Sequence, residues 1–414
     1  MNTYHLEFPP QLRGTVRLPA SKSLSARALI AGALAGGSRL SGLSDCDDTR
    51  VLRRALEEPG EVVDIMAAGT AMRFATAYFA TRQGERRMLT GTERMQHRPI
   101  GILVEALRGL GADIEYLRAE GYPPLRVTGR RLRGGTISLP ASVSSQYISA
   151  LLLVAPDMEE GLTLRLDGTV MSRPYIDMTL GVMRRFGAEA GWADEATLSV
   201  APRPYAAGVS FAVEPDWSAA SYWYEMVALS HDPSAEILLE GLAQESLQGD
   251  SVVRRLFGRL GVGTEFTAEG ARLFKQPAEE AGVLVEDFAA CPDLAQTLVV
   301  TCAMLRRPFR FTGLQSLKIK ETDRIEALRA ELRKMNVAVG GDDGTMWLDR
   351  CAATAADSPA AAAVSTYEDH RMAMSFAPCA LRRQNVAIAC PEVVSKSYPS
   401  FWDDLRAVGV AITL

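Results

Sequence analysis

The residues best suited to chemistry fall in short polar loops, each ahead of or beside a segment that reads as helical. Lys22-Ser23-Leu24-Ser25-Ala26-Arg27 offers hydroxyls that can cap a helix, with free N–H groups that suit an anion. Ala67-Ala68-Gly69-Thr70-Ala71-Met72-Arg73 contains a glycine that lets a ligand approach the backbone. Ser142-Val143-Ser144-Ser145-Gln146 gathers hydroxyl and amide donors, and Thr92–Pro99 sets Arg94 and Arg98 four residues apart. Lys318-Ile319-Lys320-Glu321-Thr322-Asp323-Arg324 alternates and then turns helical. A strand-like start would place Lys318 and Lys320 on one face, and Thr322 or Asp323 can cap the helix that follows. Tyr367-Glu368-Asp369-His370-Arg371 and Ser395-Lys396-Ser397-Tyr398 complete the set. Taken singly, each loop reads as well as an ordinary cap, a turn or a solvated charge run.

Taken together they form a pattern. Lys22, Arg27, Arg73, Arg94, Arg98, Lys320, Arg324, Arg371 and Lys396 all lie near helix starts, where a cation opposes the helix dipole. Several bound anionic groups would account for this, since Ser, Gln, Lys and Arg in one pocket suit phosphate and carboxylate. No Walker loop or G-x-G-x-x-G motif is present, so nucleotide binding lacks support. His5, His97, His231 and His370 lie far apart, and no metal site is expected.

The elements that position these loops repeat. An amphipathic helix, a turn and a short strand recur with turns at Gly60, Gly111, Gly187, Gly261, Asn336 and Gly409, at intervals of 51, 76, 74, 75 and 73 residues. Gly or Asn there is what a left-handed helix cap requires. In phase with it runs a helix apolar on every side, then a strand closing on Gly42, Gly91, Gly168, Gly241 and Gly313; a sixth such helix, Arg371–Leu381, lacks the glycine. Helices apolar all round must be buried. The expectation is a pseudo-symmetric α/β protein of six units, grouped three and three.

Composition bounds the rest. The 414 residues are 47% apolar, enough for a large core and against general disorder. With 45 basic and 50 acidic residues the net charge is −5, which argues against a nucleic-acid partner. Six scattered cysteines without a C-x-x-C read as buried thiols of a reducing compartment. No signal peptide or membrane-length apolar run is seen, so a soluble cytoplasmic protein is expected.

In this order, from Pro19-Ala20-Ser21-Lys22-Ser23 to Lys396, the motifs resemble the 5-enolpyruvylshikimate-3-phosphate synthases, a family of enolpyruvyl transferases. The most specific pieces are Lys320–Arg324, Asp369-His370-Arg371-Met372-Ala373-Met374, Gly69–Arg73 and Ser144-Ser145-Gln146. The resemblance implies an inside-out α/β barrel of two domains, each of three βαβαββ-type units with buried helices and outward sheets. It puts residues 1–18 plus 215–414 in one domain and 19–214 in the other, with the active site in the cleft between them.

The implied reaction moves the enolpyruvyl group of phosphoenolpyruvate to the 5-hydroxyl of shikimate 3-phosphate and releases phosphate, without metal or organic cofactor. By motif matching, shikimate 3-phosphate would be held by Lys22, Ser23, Arg27, Ser144, Ser145, Gln146, Ser172, Asp293, Ser316 and Lys320. Phosphoenolpyruvate would meet Lys22, Gly69, Arg94, Gln146, Arg324, Arg371 and Lys396. Asp293 would accept the hydroxyl proton, although without the family it reads equally as a helix N-cap. Glu321 and Lys22 are both candidates for proton transfer at the methylene. Small-molecule substrates, no nucleic acid, no membrane and a monomer are implied. Gly69 keeps the small residue that sensitivity to glyphosate requires.

This chain departs from the pattern at Ala67 and Ser316, where Asn is usual, and at Phe74, where Pro is usual. The sister transferase acting on UDP-N-acetylglucosamine uses a loop cysteine. Here the only cysteine in residues 19–214 is Cys46, ahead of a helix, which disfavours that alternative. A non-catalytic anion-binding paralogue would be expected to lack Asp293, Glu321 or Lys22, and all three are present.

Overall fold

The computed structural model describes residues 2–58, 60–170, 172–280, 282–349 and 362–414. Its contacts divide the chain into two compact units: residues 1–19 with 215–414, and residues 20–214. Mixed sheets and helices alternate throughout, as an α/β fold requires.

In the 20–214 unit, strand Val62–Asp64 runs parallel to Arg86–Thr90, and the helix Gly69–Thr81 lies between them in sequence. A parallel pair needs such a crossover, because its second strand must return to the same end of the sheet. Antiparallel strands Leu125–Thr128 and Asp113–Tyr116 complete a four-stranded sheet. The same arrangement recurs with Gly135–Pro140, helix Ser145–Val154 and Leu162–Asp167, extended by Thr197–Val200 and Ala190–Trp192. Arg39–Ser41, which follows helix Lys22–Ala35, pairs in parallel with Ser210–Ala212.

The other unit repeats the scheme. Leu284–Asp287 and Phe309–Thr312 flank helix Ala295–Met304, and Ala362–Val364 and Val386–Ala389 flank the helical stretch His370–Leu381. The N-terminal strand Thr3–Glu7 pairs with Val386–Ala389 and Ala411–Thr413, and Arg13–Val16 pairs with Glu236–Glu240 beyond helix Trp217–Leu229. These pairings tie the first residues of the chain to its last half.

The helices apolar all round are buried as expected: every residue of Ala295–Met304 is inaccessible, as are Tyr147–Val154 and Leu24–Gly32. The expected turns follow their backbone chemistry. Gly111, Gly187, Gly261, Asn336 and Gly409 all adopt positive φ, at 104°, 84°, 85°, 57° and 91°. Gly60 adjoins a residue outside those described. Gly91 lacks positive φ; there a Cβ would clash with the Met66 carbonyl oxygen, so close approach explains the glycine.

Cys46, Cys291, Cys302 and Cys379 are free and buried, Cys390 is free and half-buried, and Cys351 lies outside the described residues. Lys318–Lys320 is not strand-like. Gln315–Ile319 forms a 3-10 turn, so Lys318 goes to Asp343 while Lys320 goes to Asp293.

Candidate active site

Asp293 lies in the 3-10 turn Pro292–Leu294, directly ahead of helix Ala295–Met304. Leu294 holds that helix's N-cap position, so Asp293 is not a cap. Its carboxylate instead meets three cations: Arg371 Nη2 at 3.0 Å, Arg324 Nη1 at 3.4 Å and Lys320 Nζ at 3.5 Å. All three come from starts of helical segments or the loop between them, which is how residues far apart in sequence converge.

Arg324 opens helix Arg324–Lys334, whose N-cap Asp323 accepts from the Glu326 N–H. The Arg324 side chain is 2% exposed and is held by Asp369 at 2.7 Å and Glu321 at 2.8 Å. Burial alone would make this guanidinium easier to deprotonate; Asp369, Glu321 and Asp293 outweigh it and hold it well above the usual range. Asp369 is fully buried and serves twice, as ion partner and as N-cap, accepting from the Arg371 N–H at 2.8 Å.

Tyr367 and Glu368, just before it, have φ of 53° and 56°, a left-handed pair without glycine. Such strain persists only where surroundings over-determine it, and it often accompanies functional sites. The Glu368 carbonyl accepts from Lys396 Nζ at 2.7 Å. Ser316, in the 3-10 turn, is half-buried and makes no side-chain hydrogen bond among the described residues.

Two members of this cluster were not apparent from sequence. Tyr222, buried in helix Trp217–Leu229, accepts from Arg371 Nη1 at 3.4 Å, and burial pushes its hydroxyl up to about 12. Asp250 is 6% exposed and accepts from Ser218 Oγ. Burial first, and then the charge of Asp293, pushes its carboxyl up to about 7. No periodicity marks either residue, although Gln248-Gly249-Asp250 stands out as a polar break before a helix.

The 20–214 unit gathers the other group around four helix starts. Ser21 caps Lys22–Ala35 by accepting from the Leu24 N–H, and Lys22 Nζ reaches Asp48 at 3.2 Å. Ser23 follows it, half-buried. Arg27 is 3% exposed and commits four N–H groups internally, to Thr179 Oγ1, Ser149 Oγ and the carbonyls of Ser23 and Tyr175. At most one of its five donors is left for a ligand.

Ser144 caps Ser145–Val154, and Gln146 Nε2 donates to Thr70 Oγ1 at 3.0 Å. The Arg73 side chain donates to the carbonyls of Gly69 and Pro99, which anchors the Gly69 turn to the loop after Arg94. Arg94 is exposed on the one-turn helix Glu93–Gln96, and the next helix starts at Gly101. Ser172, φ 54°, is the N-cap of Arg173–Arg185. Among the described residues no group of His, Cys, Asp or Glu could hold a metal ion, and no helix is long and apolar enough to cross a membrane.

Helices buried behind mixed sheets, with cations and carboxylates gathered at helix starts, define an α/β protein suited to anionic ligands, and comparison gives its family. The chain belongs to the EPSP synthase (3-phosphoshikimate 1-carboxyvinyltransferase) family, which it matches over residues 6–61 and 51–405. It is 54% identical over 411 residues to a 3-phosphoshikimate 1-carboxyvinyltransferase of Bacteroides fragilis, covering 99% of this chain and 98% of the relative. A relative of the same name from Aliivibrio fischeri is 35% identical, covering 98% of this chain and 99% of the relative. Among solved structures, the EPSP synthase of Acinetobacter baumannii shares the fold at 20% identity with a TM-score of 0.79, over the whole of both chains.

Proposed function

We infer that the chain transfers the enolpyruvyl group of phosphoenolpyruvate to the 5-hydroxyl of shikimate 3-phosphate, a step of aromatic amino-acid biosynthesis. Full-length similarity at 54% identity carries this reading. Three steps follow from it. The hydroxyl oxygen bonds to C2 of phosphoenolpyruvate, losing its proton, while C3 gains one. The C2–O bond to phosphate then breaks, a proton leaves C3, and the enol ether and phosphate depart.

Asp293 takes the hydroxyl proton in this reading. Without substrate its charge is neutralised by Arg371, Arg324 and Lys320. An arriving phosphate or carboxylate competes for those cations. As they turn to the ligand, Asp293 loses stabilisation of its charge and becomes the stronger base. Lys22, Ser23, Ser144, Ser145, Gln146, Ser172, Ser316 and Lys320 bind shikimate 3-phosphate, and Lys22, Gly69, Arg94, Gln146, Arg324, Arg371 and Lys396 bind phosphoenolpyruvate. Arg27, with four donors committed, acts mainly by fixing the Ser23 carbonyl and helix 145–154. Glu321 and Lys22 are the two candidates for carrying the proton at C3.

Phosphate release from the two substrates tests the reading, with UDP-N-acetylglucosamine as alternative acceptor. Release is expected with shikimate 3-phosphate alone. Asp293→Asn should lower turnover at least about a hundredfold, the usual scale for a general base, with substrate binding nearly kept. A loss within about tenfold, roughly 1.4 kcal/mol of barrier, would sink the assignment of the base.

A further inference from the structure

Two cavities in the 1–19 with 215–414 unit share no residue with the candidate active site. The larger, about 570 Å³, is lined by His5, Glu7, Arg382 and Arg383 among others. The smaller, about 290 Å³, is lined by Arg259, Lys275, Arg307 and again Arg382. Arg382 thus stands on the boundary of both. It follows the helical stretch His370–Leu381, which begins beside Arg371. The two arginines therefore sit at opposite ends of one helical stretch, roughly 18 Å apart along it.

The charges here are arranged without compensation. Arg382 Nη1 approaches His231 Nδ1 at 3.3 Å, and its Nε is buried without a hydrogen-bond partner. Among the described residues neither Arg382 nor Lys275 forms an ion pair. Burial and then Arg382 push the Lys275 ammonium down to about 8, Arg382 and then burial push His231 down, and burial lowers Arg382 itself. One carboxylate, Glu7, lines the larger cavity, and Arg259 in the smaller already pairs with Glu279 and Glu286.

A helix dipole accounts for part of this: Lys275 Nζ donates to the Ala228 carbonyl near the end of helix Trp217–Leu229. It does not account for Arg382, which lines both cavities, lying beside Lys275, which lines the smaller. A bound anion does, because it would accept from the free N–H groups and remove the mutual repulsion.

We propose that the two cavities that meet at Arg382, the smaller also lined by Lys275, form a second binding site, for a small anion bearing phosphate or carboxylate groups. Inorganic phosphate and, separately, citrate at pH 7 are the probes, with binding read from the rise in melting temperature. The experiment uses an Arg371→Gln background, which weakens anion binding at the candidate active site. Either probe should stabilise that protein, and adding Arg382→Gln or Lys275→Gln should weaken its apparent affinity about tenfold, the effect of losing one charge-assisted contact.

Response to phosphate only, or to citrate only, identifies which anion the site takes. No response to either probe, or a response unchanged in both added variants, overturns the proposal. In the otherwise unaltered chain, Arg382→Gln should leave enolpyruvyl transfer within about twofold. That keeps failure of this site separate from failure of the transferase reading.

Discussion

Asp369→Asn probes how the carboxylate cluster is held. The substitution keeps side-chain shape and a competent N-cap for the helix at His370, since Asn caps about as well as Asp. It removes the charge facing Arg324 Nε at 2.7 Å, inside a site where Arg324 is 2% and Asp369 0% exposed. Removing one partner of a buried pair costs about 3–5 kcal/mol. Glu321 and Asp293 still face Arg324, at 2.8 and 3.4 Å, so the lower end, about 3 kcal/mol, is expected. For a unit of roughly 200 residues this lowers the melting temperature by about 6–12 °C in calorimetry.

The control is Asp323→Asn, a half-buried cap of the neighbouring helix, which should cost under about 0.5 kcal/mol. Turnover of Asp369→Asn should also fall about tenfold, because the released Arg324 leans further onto Asp293. If Asp369→Asn melts within about 2 °C of Asp323→Asn, Arg324 is not held by Asp369 and this account of the cluster is wrong.

Other perturbations test separate parts of the structure. A Cβ at position 69 would lie 2.5 Å from Arg98 Nη1, a flexible tip, and 2.9 Å from Arg73 Nη1, a buried group held by the Gly69 carbonyl that would have to shift. Gly69→Ala should therefore cost about 1–3 kcal/mol in stability, raise the KM for phosphoenolpyruvate about tenfold and weaken glyphosate inhibition. An unchanged KM would show that the arginine tips do not touch that substrate.

Glu225 is fully buried, and burial holds its carboxyl well above the ordinary value. The native state keeps a proton that the unfolded chain releases, so this contribution is present below about pH 4.5 and is lost as pH rises toward the native value. Glu225→Gln should gain on the unaltered chain between pH 5 and 9 in urea unfolding, by up to about 1.4 kcal/mol per unit; a constant difference would refute it. Asp250, pushed up to about 7, is protonated below and charged above that pH. Asp250→Asn should erase an inflection near pH 7 in the pH profile of turnover, and an unchanged profile would detach Asp250 from Asp293.

The repeat was legible because its turns obey a local rule. Left-handed backbone selects Gly or Asn, and five of the six turn positions adopt it. The buried helices were legible for a similar reason, since apolar residues on every side leave no solvent face. Whether Lys318–Lys320 forms a strand was not legible, because alternation over three residues also fits a 3-10 turn. What separates the two lysines is Asp343 on one side and Asp293 on the other, and no local pattern reveals partners so far along the chain. Tyr222 was out of reach likewise, 149 residues from Arg371. The roles given to Asp293 and Glu321 came from family resemblance, as Asp293 alone reads equally as a cap and Glu321 as part of a solvated charge run.

Cations at helix starts ought to be unfavourable, and the structure shows how three of them are tolerated. Lys22 faces Asp48, Arg324 faces Asp369 and Glu321, and Arg371 faces Asp293. Carboxylates thus occupy the positions that anions would otherwise fill, with 17–26% of the side chain exposed for Asp48, Asp293 and Glu321 but none for Asp369. The difference in exposure separates roles. Asp369 cannot leave Arg324 without burying an unpaired charge, so it is a fixed support. Asp293, Glu321 and Asp48 can give up their cations to an arriving anion, because water is at hand to solvate them. On the proposed reading, substrate binding is then an exchange of one anion for another with little net desolvation, and two of the carboxylates it displaces, Asp293 and Glu321, are candidates for moving protons in the steps that follow.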